Sequence, residues 1–160
     1  MNVILTGEKH VGKSTALSRA LPQLTSSRFG FTTRYEPCAD GRVLMIHSLD
    51  GACSAAAVRW VDGRAIVDEG AFNAFGASLL RGGGELAVMD EIGKFELRAL
   101  PFRDAVLRVF DSECDALAVV RLDTSGWMQE LKSRSDTVVI TVTHENRDSI
   151  PDMLVRLFQK

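Results

Sequence analysis

Near its start the chain passes from an apolar run, Val3-Ile4-Leu5-Thr6, into Gly7-Glu8-Lys9-His10-Val11-Gly12-Lys13-Ser14-Thr15. A short apolar run bounded by glycine reads as a buried strand, and Leu17, Ala20 and Leu21 recur at helical spacing until Pro22 stops them. The segment between fits G-x-x-x-x-G-K-[ST], the Walker A pattern, which needs a strand before it and a helix after it. Its glycines admit torsions that turn successive N–H groups toward one anion, and the helix start adds the positive end of its dipole. Within Gly7 to Thr15, Lys13 is placed to reach the β and γ phosphates. Ser14 offers a hydroxyl to Mg²⁺, and Thr15 reaches the α phosphate from the first helical turn. Lys9 and His10 occupy variable loop positions where side chains are usually solvated. A loop of this kind restricts the chain to an α/β architecture.

The remaining pattern agrees with that restriction. Leu86-Ala87-Val88-Met89, Leu117 to Val120 and Val138 to Val142 are continuous apolar runs alternating with helical segments at Phe72 to Leu80 and Phe102 to Phe110. Strands apolar on both faces belong in a mostly parallel sheet covered by helices, so the expected fold has three layers. Residues 29 to 68 read differently. Phe29 to Thr33, Val43 to Ile46 and Ala65 to Val67 are strand-like, with turn signals at Asp40-Gly41 and Asp62-Gly63. They form a β-hairpin insertion, expected over one edge of the main sheet. Ser149 is a candidate cap for a last helix, with Pro151 in its first turn and Met153, Leu154, Leu157 and Phe158 facing inward.

A phosphate loop needs a second element to hold the metal. The run Leu86 to Met89 ends in Asp90-Glu91, where a Walker B acid belongs, so Asp90 is the candidate Mg²⁺ ligand beside Ser14. Glu91 follows directly, and alternation along a strand points it away from Asp90. There it either polarises the attacking water at the γ phosphate or remains a surface or orienting carboxylate.

Composition excludes several other classes. The chain has 160 residues, 46% hydrophobic and 25% charged, which suits one globular domain and not a disordered or fibrous chain. A net charge of −2 offers no bulk attraction to nucleic acid or anionic membrane. Cys38, Cys53 and Cys114 form neither a disulfide framework nor a zinc pattern. The N-terminus lacks the basic flank and long apolar core of a signal peptide, and no run approaches a membrane span. A monomeric cytoplasmic protein acting on a small nucleotide is the expectation.

Four segments together resemble the THEP1-type nucleoside triphosphatases: Gly7 to Thr15, Gly30-Phe31-Thr32-Thr33, Asp90-Glu91-Ile92-Gly93-Lys94-Phe95-Glu96-Leu97, and Glu145-Asn146-Arg147-Asp148. The D-E-I-G-K-x-E-L run is the specific one. Phe95 stands where that family usually has methionine, and Arg34-Tyr35-Glu36-Pro37 departs from its usual pattern. The resemblance implies a RecA-like core and slow Mg²⁺-dependent hydrolysis of ATP, GTP and other nucleoside triphosphates. It also makes Glu91, the acid after the metal-binding aspartate, the catalytic one.

Weaker signals complete the reading. Thr143 to Asp148 follows the last strand, at the sheet edge where α/β folds bind ligands, so Asn146 and Arg147 are candidates for contact with the base. Lys94 and Glu96 either orient Glu91 or pair with each other on the surface. Arg34, Arg121 and Arg134 are candidates for a cation near the γ phosphate. Two other functions share the same loop: a kinase for a small acceptor or nucleotide, and a non-catalytic nucleotide-binding switch.

Overall fold

The computed structural model describes residues 1–39, 41–123 and 125–159. Among them, one sheet of eight strands runs in the order β5-β4-β3-β2-β6-β7-β1-β8. These are β1 (Asn2–Thr6), β2 (Arg28–Cys38), β3 (Gly41–Ser48), β4 (Ser54–Val61), β5 (Arg64–Val67), β6 (Leu86–Ile92), β7 (Asp115–Val120) and β8 (Thr137–Thr141). The five strands from β2 to β8 in that order pair in parallel. β1, β6 and β7 lack a solvated face, which is why their sequences are continuous apolar runs, whereas β8, at the sheet edge, leaves Val138 and Val139 exposed despite its apolar sequence.

Alternation within those runs builds the three layers. Val3, Leu5, Leu86, Val88, Leu117 and Val119 face one side, against helices α1 (Lys13–Ala20) and α5 (Ile150–Phe158). Ile4, Ala87, Met89, Ala116, Ala118 and Val120 face the other. There they meet a π-helical turn at Ala71–Gly76 leading into α2 (Ala77–Leu79), then α3 (Leu100–Phe110) and α4 (Trp127–Lys132). Phe102 is fully buried, with ring centroids 5.6 Å from both Phe31 and Phe72. Phe102→Ala should lower the unfolding free energy by about 3–5 kcal/mol, measured by urea denaturation, because neighbouring rings cannot close the cavity.

The segment from 29 to 68 does not lie over the sheet edge; it extends the sheet in its own plane. β2 is eleven residues long and uses both edges. Arg28 to Thr32 pair in parallel with Leu86 to Asp90, while Phe31 to Cys38 pair antiparallel with β3. Asp40, in the first expected turn, lies outside the described residues. Val61 pairs with Arg64 across Asp62-Gly63, both in the left-handed region, as a two-residue hairpin turn requires.

Two details of the last helix also differ from expectation. The Ser149 hydroxyl donates to the Asn146 carbonyl and makes no cap bond to the helix. Met153 is 41% exposed, because the buried stripe runs through Ile150, Leu154, Val155 and Phe158 and turns Met153 off that face. No helix of the described residues is long and apolar enough to cross a membrane.

Candidate active site

All parallel strands end at the same side of the sheet, so the loops that follow β1, β6, β7 and β8 converge there. Gly7 leaves β1 at φ +144°, and a Cβ at that position would stand 2.4 Å from the Val142 carbonyl oxygen. Only glycine permits that torsion and that approach together. The Val11 side chain is buried in the core beneath the loop, so its share in an anion site is limited to its backbone. Glu8, Lys9 and His10 are exposed. Gly12 precedes α1 in the left-handed region, and the first turn of α1 holds no acidic residue. The N-terminal end of that helix is therefore open to an anion.

Lys13 is buried, and its ammonium donates to the carbonyls of Gly7 at 3.0 Å and Glu8 at 2.8 Å. It braces the loop from inside. Burial pulls its pKa below the ordinary lysine value, against the opposing pull of the Glu91 and Asp90 carboxylates. The exposed Ser14 hydroxyl donates to Asp90 Oδ1 at 2.8 Å, joining groups 76 residues apart. Asp90 is 5% exposed, and burial raises its pKa to about 6, with the Ser14 bond acting against the rise.

Glu91 occupies a break in the sheet. Asp90 pairs with Val119 and Ile92 with Val120, so Glu91 is skipped in the register between β6 and β7. Its N–H donates instead to the Thr33 hydroxyl at 3.1 Å. Glu91 thus lies within β6, which continues to Ile92, and the residue that holds its backbone, Thr33, carries no task in the sequence reading. The G-F-T-T segment containing Thr33 was the only signal that pointed to it.

Beyond Glu91 the chain turns at Gly93 into a short 3₁₀ helix, Lys94–Glu96. Glu96 is not a surface residue paired with Lys94. It is 2% exposed, and its Oε2 accepts the Gly93 N–H at 3.0 Å. Lys94 is exposed, its ammonium 5.2 Å from the centroid of the Phe95 ring. Burial raises the Glu96 carboxyl to about 7, with a smaller push from Glu91; the Gly93 N–H and Arg121 pull it down. Since the folded chain holds this proton more tightly than the unfolded one, its contribution to stability is greatest at low pH. It should fall as pH rises from about 4.5 toward about 7, with Asp90 adding to the slope. Urea unfolding across that range should show Glu96→Gln with a flatter dependence.

Of the three candidate cations, the structure brings one to the phosphate loop. Arg121 follows β7 and lines a cavity of about 500 Å³ with Gly7, Glu8, Lys9 and Lys13. Arg134 is held by Asp111 at 2.8 Å and Asp136 at 2.7 Å, and also donates to the Phe110 carbonyl, so it is not free to act there. Arg34 is exposed on β2.

On the other side of the loop, a cavity of about 260 Å³ is lined by His10, Gly12, Thr15, Arg19 and Arg147 among others. Asn146 serves its own turn: its Oδ1 accepts the Thr143 N–H at 2.8 Å and its Nδ2 donates to the Thr141 carbonyl at 2.9 Å. Arg147 lies against Gly12, its Cδ 3.6 Å from where a Cβ would stand, and its Nη1 approaches His144 Nδ1 at 3.4 Å.

A family model described as NTPase matches residues 2–155 of the chain. The nucleoside-triphosphatase THEP1 of Thermotoga sp. (strain RQ2) is 32% identical, over 94% of this chain and 91% of that protein. The chain belongs to the THEP1-type nucleoside-triphosphatase family. The relative from Natranaerobius thermophilus is 29% identical over 99% of this chain and 97% of its own. A "Cancer-related nucleoside-triphosphatase homolog" of Mus musculus is 27% identical over 96% of this chain and 94% of its own length. The crystal structure of THEP1 from Aquifex aeolicus matches with a TM-score of 0.83 at 24% identity, covering 100% of both chains. The fold is therefore that of a P-loop nucleoside triphosphatase, in which β7 separates the phosphate-loop strand from the strand carrying Asp90 and Glu91.

Proposed function

We propose that the chain hydrolyses nucleoside triphosphates to the diphosphate and phosphate, in a Mg²⁺-dependent reaction with Glu91 as the group that polarises water. Membership of the THEP1-type family supports hydrolysis as the reaction class. The observation that carries the reading is the Ser14–Asp90 contact at 2.8 Å with Glu91 next in the chain. A hydroxyl and a carboxylate are hard oxygen donors, and Mg²⁺ takes few protein ligands while keeping phosphate oxygens and water. The donor set fits that ion, and Ser14 and Asp90 would hold it. When bound, it neutralises charge on the β and γ phosphates.

The chain's own groups do the rest. Backbone N–H groups of Gly7 to Thr15 orient the phosphates, and Lys13 places its charge at the β–γ junction. Glu91, its backbone held by Thr33, takes the proton of the attacking water as the bond from water oxygen to the γ phosphorus forms and the bond to the bridging oxygen breaks. Positioning and charge stabilisation supply most of such catalysis. ATP, GTP and other triphosphates are the substrates on this reading. Arg147 offers a flat guanidinium for stacking on a base, which discriminates little between bases. Asn146 contributes by holding the turn that presents Arg147. The net charge of −2 supports a small nucleotide over nucleic acid as the partner, with the chain acting as a monomer in the cytoplasm.

The metal requirement is directly testable. Excess EDTA should bring phosphate release to background, and added Mg²⁺ should restore it. Asp90→Asn should raise the Mg²⁺ concentration for half-maximal rate by about tenfold or more. Full-rate release in EDTA would contradict the reading.

A further inference from the structure

β7 carries no motif, yet it lies between β1 and β6, so whatever follows it opens between the phosphate loop and the Asp90–Glu91 pair. That residue is Arg121. Its N–H donates to the Ile92 carbonyl at 3.2 Å, tying it to the strand that carries Glu91. Its side chain crosses Gly93: a Cβ there would stand 3.0 Å from Arg121 Cδ and 3.6 Å from Cγ. Gly93 has φ −143°, a torsion open to any residue, but a side chain there would push the Arg121 stem aside by a few tenths of an ångström. On its other side Gly93 donates its N–H to the buried Glu96, whose Oε2 would lie 3.8 Å from that same Cβ. The glycine thus lies between the stem of one arginine and a buried carboxylate.

Two further observations show what the arrangement serves. Among the described residues, no carboxylate lies within ion-pair distance of the Arg121 guanidinium, whereas Arg134 has two. Arg121 lines a cavity with Lys13, the loop residues Gly7, Glu8 and Lys9, and its own neighbours Leu122 and Asp123. Lys13 and Arg121 thus bring two cations to one cavity whose wall also holds Glu8 and Asp123, and a bound anion there would meet both cations.

We propose that Arg121 is a catalytic cation supplied in cis to the γ phosphate, and that Glu96, acting through Gly93, is its positioning residue. The proposal rests on the hydrolase reading above and deepens it. As the water–phosphorus bond forms and the bond to the bridging oxygen breaks, negative charge gathers on the γ oxygens and on the leaving β phosphate. The water proton passes to Glu91. A planar guanidinium can span two of those oxygens, and a donor aimed at developing charge in a fixed site acts on the transition state more than on bound substrate.

The test compares wild type with Arg121→Ala, Arg121→Lys, Glu96→Ala, Glu96→Gln and the Arg121→Ala/Glu96→Ala pair. Single-turnover phosphate release at saturating MgATP is read beside the ATP dissociation constant. Arg121→Ala should slow release by about 10²–10³-fold while affinity changes by less than about threefold, and Arg121→Lys should recover only part of the rate. Glu96→Ala should slow release by about tenfold, Glu96→Gln should keep most of the rate by still accepting the Gly93 bond, and Glu96→Ala should add nothing to Arg121→Ala. A wild-type rate in Arg121→Ala, or a loss carried entirely by affinity, overturns the arginine's role. Losses that multiply in the pair overturn the positioning role. Arg121 is only half-buried, so its truncation leaves the test in force even if Glu96→Ala does not fold. Absence of phosphate release from the wild type overturns the hydrolase reading itself, a result separate from these.

Discussion

Glu91→Gln should slow phosphate release by about 10²–10⁴-fold, the usual contribution of a positioned general base, while leaving triphosphate affinity within about threefold. Glutamine keeps the shape of the side chain and its acceptor oxygen, but cannot take a proton from water. The Glu91 N–H bond to Thr33 is a backbone bond and survives the change. The loss should therefore fall on kcat and not on folding, measured by single-turnover release beside a thermal melt. Retention of the wild-type rate would remove Glu91 from the chemistry and favour a switch whose nucleotide is merely bound.

Lys13→Ala should weaken both binding and turnover. The ammonium is buried and donates to two loop carbonyls, at 3.0 Å to Gly7 and 2.8 Å to Glu8. On the proposed reading its loss deletes the charge at the β–γ junction, together with the internal brace of the loop. A donor lost at developing charge costs about 10²–10³-fold in kcat, and weakened binding lowers kcat/KM further, to about 10⁴-fold in total. Titration with a fluorescent triphosphate beside steady-state kinetics separates the two contributions. Intact kcat with only a raised KM would confine Lys13 to ground-state binding.

Much of this site was legible because its parts are local. The phosphate loop needs nine consecutive residues, and the strand and helix that flank it are signalled by apolar spacing alone. Asp90-Glu91 ends an apolar run, so its place at the C-terminal edge of a strand follows from neighbours in sequence. What was not legible depends on register between distant segments. Glu91 leaves the ladder because β6 and β7 pair with a break between Asp90 and Ile92, which no local pattern records. Glu96 reads as a surface acid in a charged stretch, and only the packing of the 3₁₀ turn buries it. Arg121 and Arg134 look alike in sequence. The topology puts one after β7 at the loop, while Asp111 and Asp136 hold the other away from it. The in-plane extension by β3, β4 and β5 likewise follows from β2 having two edges to pair, where turn signals alone leave the placement open.

The central claim, that this chain alone turns triphosphate into diphosphate and phosphate, is tested most directly by release of inorganic phosphate from ATP, GTP, CTP and UTP with Mg²⁺ and no acceptor present. The account predicts steady release from all four, with phosphate matching diphosphate one for one and modest spread between bases. Nucleotide binding without phosphate release, or diphosphate appearing only when an acceptor is added, would contradict it and make the chain a switch or a kinase.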